Sequence, residues 1–181
     1  MDNVTLHGVR LRSDMLWCDT SDYICQKGYA RLWIIRRLKG LGANQDELLD
    51  IYHKQVRSVL ELAVPVWQSS ITKQEKRQIE RVQRCAFNII LGHEYTSYSN
   101  ALDILNSESL EVRRVRLCEK FAKKSSKHKK YQTWFVQSIK EERPTKTRQK
   151  KDTKYKHVKF RTERNKNSPL SYLTELLNNM E

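Results

Sequence analysis

The sequence is short of acid, of paired cysteine and of long apolar runs, and each shortage closes off a class of function. Asp and Glu number 21 against 35 Lys and Arg, a formal charge of +14 over 181 residues. Such an excess favours polyanionic partners (RNA, DNA or an anionic membrane); the bland alternative is a basic surface held in water. The four cysteines, Cys18, Cys25, Cys85 and Cys118, form no Cys-x-x-Cys pair, and the five histidines stand singly. A structural zinc site needs four clustered ligands, so neither a metal nor any other cofactor is expected. No stretch approaches the ~18 consecutive apolar residues that cross a bilayer. The N-terminus has no charged head followed by an apolar run, so no signal peptide is expected. The expected setting is intracellular, nucleus or cytoplasm, with reduced thiols. Asp-Asp is missing as well, and the adjacent acids Asp46/Glu47 and Glu141/Glu142 suit a helix cap and a charged surface respectively. With no Gly-rich phosphate loop, no Ser/His/Asp set and no reactive-cysteine context, no catalytic residue is assigned.

What is present is helical periodicity. From Asn44 to Trp67 the chain opens on a capping box, Asn44 and Glu47, and continues with apolar residues at Leu48/Leu49, Tyr52, Val56, Val59/Leu60 and Ala63. Pro65 predicts a stop near that point, with Trp67 as an apolar anchor. An earlier helix is expected over 20–39, capped by Thr20, Ser21 or Asp22. Its face is Ile24, Gly28, Leu32, Ile35 and Leu38, widened by Trp33 and Ile34. Thr72 and Glu75 form a second capping box for a helix to Leu91, with Gly92 as its stop. Its expected stripe is Ile79, Val82, Ala86 and Ile89/Ile90; Glu80 belongs to the opposite, charged face, in i,i+4 pairs with Lys76 and Arg84. A short helix over 98–105 and another over 109–124 follow. The last buries Leu110, Leu117, Cys118 and Phe121 and turns Arg113, Arg114 and Arg116 outward, and Trp134-Phe135 beyond it offers a docking anchor. At the N-terminus, Val9 and Leu11 alternate with Arg10 and Arg12 as an exposed strand would, although a lone strand needs a sheet to join.

From Lys140 to Lys166 the periodicity ends. Twelve Lys and Arg stand against four acids, a net +8 and more than half of the whole formal charge. So little apolar surface cannot offset ordering entropy, and disorder is expected. Tyr155, Val158 and Phe160 interrupt the run, which suits stacking on bases. Ser168 then caps a short helix to Asn178. The reading is an all-α fold: a small, antiparallel-leaning bundle of about five helices with a short extended N-terminal segment and a basic, mostly disordered tail.

The helical stretches carry a resemblance. Leu48-Leu49-x-x-Tyr52-x-x-x-Val56-Arg57-x-Val59-Leu60-Glu61-x-Ala63-x-Pro65-Val66-Trp67 resembles the region downstream of the reverse-transcriptase palm in non-LTR retrotransposons of the jockey-like and chicken-repeat-like groups. Tyr23-Ile24-Cys25-x-Lys27, Ile79-Glu80-Arg81-Val82-Gln83-Arg84-x-Ala86 and Leu117-Cys118-x-Lys120-Phe121-Ala122-Lys123-Lys124 are similar to further parts of that family, in the same order. Departures stand at Thr20 (usually His), Gly28 (usually Ala), Ser58, Leu62, Gln68 and Val112.

The resemblance implies a remnant of the end of a polymerase domain at 1–17, a thumb-like helical region at 18–139 and a basic tail at 140–181. The intact family protein is an RNA-directed DNA polymerase whose palm aspartates hold two Mg²⁺ ions. Those acids are absent here, so the expected residual role is non-specific binding of template–primer backbone without catalysis. The alternatives are a host-recruited helical protein-interaction module and a decaying gene fragment without selected function. The expected partners are RNA or DNA, with the missing palm or another protein as a further one. Candidate backbone contacts are Arg31, Arg36, Arg37 and Lys39 in the first helix, then Lys123, Lys124, Lys127, Lys129 and Lys130. In the tail they are Lys150, Lys151, Lys154, Lys156, Arg161 and Arg164. Nothing in the sequence resembles a base-reading device, so these cations position a strand and do not specify it.

Overall fold

Three helical stretches run up, down and up through the core of the computed structural model, which describes residues 3–12, 16–135, 154–156, 162 and 167–180. The first is α1 (Cys18–Gly40). The second begins as α2 (Gln45–Ile51), passes through a π-helical turn (Tyr52–Arg57) and ends as α3 (Ser58–Leu60). A short turn of helix, α4 (Val64–Trp67), leads to the third, α5 (Lys73–Leu91). Then come α6 (Tyr98–Ile104), α7 (Leu110–Lys127), a 3₁₀ segment (Lys129–Trp134) and α8 (Pro169–Asn179). The expected all-α fold is the one observed. Among the described residues the only sheet is a two-stranded hairpin, β1 (Asn3–Leu6) and β2 (Val9–Arg12). None of the described helices is long and apolar enough to cross a membrane.

Contacts along the core fix the directions. Ser21 Oγ donates to Glu75 Oε1 (3.3 Å) where α1 and α5 begin, and Lys39 Nζ donates to the carbonyls of Ile89 (2.6 Å) and Ile90 (3.0 Å) where they end. The two helices are therefore parallel. The stretch between them is antiparallel to both: Gln45 Nε2 meets Glu94 (2.8 Å) at one end, and Leu60 lies against Gly28 at the other. Gly28 is where the three converge. A Cβ there would sit 2.9 Å from Leu60 Cδ2 and 3.0 Å from Val82 Cγ1, both fully buried. The absent side chain lowers helix propensity by ~1 kcal/mol relative to Ala, and the close approach of the backbones is its compensation.

Both capping boxes form. Asn44 Oδ1 accepts from Glu47 N (2.9 Å) while Glu47 accepts from Asn44 N (3.0 Å), and Thr72 with Glu75 does the same at 3.2 and 2.6 Å. Each cap is worth about 1 kcal/mol. Leu48, Tyr52, Val56 and Leu60 are buried at strict four-residue intervals. In a regular α-helix that spacing precesses by about 40° per step. The wider π-helical turn takes up the drift and keeps all four on the core side.

Several local expectations need correction. Helix α1 starts at Cys18, so Thr20 and Ser21 lie inside it and do not cap it. Thr20 Oγ1 instead donates to Arg10 O (2.6 Å) and accepts from Arg10 N (3.1 Å), pinning β2 to the helix. The strand finds its partner in β1, through a two-residue turn at His7-Gly8 whose φ values of 48° and 83° fit a type I′ hairpin. Trp33 does not widen the buried face of α1 but is 63% exposed. Pro65 does not end a helix: the chain turns at Ala63, in the left-handed region at φ 51°, and Pro65 sits in the first turn of α4. Trp67 is buried and donates from Nε1 to Leu62 O (2.7 Å).

A further correction concerns the C-terminal helix. Helix α8 packs against α7 and α4 with Leu173 and Leu177 buried, as a member of the bundle and not an appendage of the tail. Tyr155 N donates to Asn178 Oδ1 and Asn178 Nδ2 to Tyr155 O, both at 3.0 Å, and the Tyr155 ring meets buried Phe135 edge-on at 6.0 Å. Of the expected anchor, Phe135 docks and Trp134 remains 46% exposed. The disorder expected over 140–166, apart from 154–156 and 162, and the boundary expected at 139/140 lie outside the described residues.

Candidate nucleic-acid interface

Because acids are scarce, where they are placed decides which cations face solvent without a partner. Among the described residues most of the acid pairs lie in one seam between the stretch 52–68, α5 and the start of α7. Glu61 pairs with Arg113 and, at 3.6 Å, with Arg57; Glu108 pairs with Arg116 and, at 3.8 Å, with Arg113. Glu80, expected on the solvent face, turns inward. It accepts from the Tyr98 hydroxyl and from Leu110 N (3.1 Å), and faces Arg114 Nη1 at 3.9 Å. Arg114 is fully buried, against the expectation that it points outward. It lies on the line Leu110–Arg114–Cys118–Ala122, which is the core side of α7. Its Nε donates to Gln68 Oε1 (3.0 Å), while Nη1 and Nη2 have no hydrogen-bond partner among the described residues. Burial lowers the pKa of this guanidinium, and Glu80 opposes the shift. Tyr52 Oη donates to Gln83 Oε1 (2.7 Å), and Gln83 Nε2 donates to Glu108 O (3.0 Å). Burial raises both Tyr52 and Tyr98. The seam is structural: it stitches four helical segments with buried hydrogen bonds.

Chemistry elsewhere in the core is muted. Burial pushes the thiols of Cys25 and Cys118 up to about 12, which suppresses the thiolate. Among the described residues no group of three or more His, Cys, Asp or Glu is placed to hold a metal. His53, in the π-helical turn, has an unpartnered buried Nε2. Burial, with Arg57 and Arg113 nearby, lowers its pKa to about 4, so it is neutral at pH 7.

The cations proposed from sequence divide into three sets. Arg31 and Lys39 are engaged with backbone: Arg31 Nη1 donates to Gln55 O (2.5 Å) beside the π-helical turn, and Lys39 closes the end of α5. Arg36 and Arg37 are exposed on α1 with no ion pair among the described residues. So are Lys123, Lys124 and Lys127 on α7, and Lys129 and Lys130 after it, with Lys120 one turn earlier on the same helix. Lys154 and Lys156 are exposed beside Tyr155, with the Lys154 ammonium 5.9 Å from that ring. Lys150, Lys151, Arg161 and Arg164 lie outside the described residues.

Beside the α7 lysines stands a feature that sequence reading missed. His128, Tyr131 and Trp134 form a ladder of rings, with centroids 5.1 and 4.7 Å apart at successive steps. Their three-residue spacing is the period of a 3₁₀ helix, on which i and i+3 eclipse, and that spacing is the signal by which they can be found. The Lys130 ammonium lies 5.8 Å from the Tyr131 ring. No protein-family model, curated protein or solved structure matches the chain.

Proposed function

We propose that this chain is a non-enzymatic helical module that holds the phosphate backbone of RNA or DNA, descended from the region that follows a reverse-transcriptase palm. The observation that carries the reading is the lysine face from Lys120 to Lys130, exposed, without an acid partner among the described residues, and bordered by the rings of Tyr131 and Trp134. A helix C-terminus gains from one or two cations through its dipole, but that effect fades within the last turn and does not account for six lysines. A polyanion does, since each phosphate neutralised releases condensed counterions.

Replacing Lys123, Lys124, Lys127, Lys129 and Lys130 together by Gln tests the reading by titrating single-stranded RNA over a salt series. The log–log slope should flatten by up to about 3.5, at about 0.7 per lost contact. An unchanged slope in a variant that keeps its circular dichroism would remove this face from the interface.

A second reading, as a protein-interaction module, is favoured by one observation. Among the described residues strand β1 pairs with β2 alone, and its Val4 and Leu6 are 62% and 55% exposed. Such an edge accepts an added strand. In that case Val4→Lys should abolish capture of a partner that wild type retains, and retention by the variant would discard this reading.

A further inference from the structure

Helix α1 turns an aromatic and cationic stripe to solvent that the bundle does not use. Tyr29, Trp33, Arg36 and Arg37 follow at intervals of four, three and one, which keeps them on one side of the helix, away from the core line Ile24–Gly28–Leu32–Ile35. Trp33 is 63% exposed and Tyr29 is 38% exposed. Gly28 packs against Val82 of the parallel helix α5, whose neighbour Arg81 is exposed, so the stripe continues onto that helix. No acid occurs between Asp22 and Asp46, and the one acid in the middle of α5, Glu80, is turned into the seam. Among the described residues Arg36, Arg37 and Arg81 have no ion pair, and the exposed apolar surface of the stripe consists of flat rings.

That combination selects its occupant. Rings beside guanidinium groups suit unpaired bases, which present π-faces, strung on a phosphate chain. A duplex hides those faces and offers phosphates alone. A protein partner would have to bring carboxylates to meet Arg36, Arg37 and Arg81. A membrane surface needs a broad apolar face, and that of α1 is buried in the bundle. We propose that Tyr29 and Trp33 are a stacking platform for single-stranded nucleic acid, with Arg36, Arg37 and Arg81 holding its phosphates. This rests on the backbone-binding reading above and adds a preference for unpaired strands.

The test uses the full chain, with oligo(dT), oligo(U), a duplex of equal length, heparin and anionic phosphatidylserine vesicles as probes. In a Trp134→Phe background, which silences the other exposed tryptophan, oligo(U) should quench the emission, and most of that change should vanish when Trp33→Ala is added. Trp33→Ala should weaken oligo(dT) and oligo(U) binding about tenfold, within the roughly 5- to 150-fold span of one lost stacked base. Heparin affinity and the salt slope should hold. Arg36→Gln with Arg37→Gln should instead flatten the slope by about 1.4. Both positions are exposed, so folding is retained and circular dichroism verifies it. If wild type binds no nucleic acid at low salt, the backbone-binding reading fails and takes the platform with it. Oligonucleotide binding that Trp33→Ala leaves within twofold of wild type overturns the platform alone. The platform is also overturned if the substitution weakens heparin equally, if it removes only vesicle binding, or if it abolishes self-association in sedimentation without touching oligonucleotides.

Discussion

Replacing Arg114 tests whether the buried seam is as strained for partners as its geometry says. The guanidinium is fully buried, bonded through Nε to Gln68 and 3.9 Å from Glu80, whose side chain is 13% exposed. Arg114→Ala leaves Glu80 without its cation, Gln68 Oε1 without its donor, and a cavity. Breaking a buried pair from one side costs about 3–5 kcal/mol. Arg114→Met removes the same charge but keeps most of the stem volume. Both substitutions remove two terminal nitrogens that have no hydrogen-bond partner among the described residues, each a penalty of about 1–3 kcal/mol in the wild type, so Met differs from Ala in leaving little cavity, a difference of about 2–5 kcal/mol. Met should therefore cost only about 0–2 kcal/mol, and adding Glu80→Gln should recover part of that. Urea unfolding followed by circular dichroism reads the difference. At a slope of about 2 kcal/mol per molar, a 4 kcal/mol loss moves the midpoint by about 2 M, a large part of the total stability of a typical domain. An Ala variant within about 1 kcal/mol of wild type, or a Met variant less stable than Ala, would refute the reasoning.

Two further outcomes follow from the core. Gly28→Ala gains ~1 kcal/mol of helix propensity but pushes a methyl against Leu60 and Val82, and overpacking costs about 1–3 kcal/mol; the melting temperature should fall by a few degrees, and a rise would show that the three helices can part. His53 has a folded pKa of about 4 against an ordinary value of about 6.5, so the unfolded chain takes up the proton first. The stability it contributes is full above pH 6.5 and is lost as the pH falls toward 4. The loss is about 1–2 kcal/mol after allowance for partial exposure. Urea midpoints at pH 7 and pH 5 should differ more for wild type than for His53→Gln, and equal differences would place the titration elsewhere.

What was legible in the sequence was local chemistry. The boxes at Asn44/Glu47 and Thr72/Glu75 form because the cap, the N3 residue and the backbone they satisfy lie within four positions of one another. The stripe Ile79–Val82–Ala86–Ile90 is buried because its period and its residue types agree. Arg114 and Glu80 escaped because there the two signals conflict. Spacing placed Arg114 on the core line and charge placed it outside; only Gln68 and Glu80, distant in sequence, show that burial wins. The hairpin was half seen, since β2 alternates apolar residues with arginines while His7-Gly8 departs from the commonest turn pairs and does not announce a partner strand. For the candidate interface, the exposed lysines of α7 could be proposed from composition. The engagement of Arg31 and Lys39 could not, because their acceptors, Gln55 and Ile89/Ile90, lie 24 and 50–51 residues away.

Lys39 has one more effect, on how the molecule opens. Its ammonium lies on the carbonyls that end α5 and fills the space where a side chain at Gly92 would stand, 2.7 Å from a Cβ built there. One helix thus supplies the terminal cap of another, and the last turn of α5 is complete only while α1 is docked along its whole length. Fraying at that end is therefore shared between the two helices. In native-state hydrogen exchange their C-terminal amides should open as one cooperative unit, at a common free energy above that of an isolated helix end. Charge removal at Lys39 would split the unit in two.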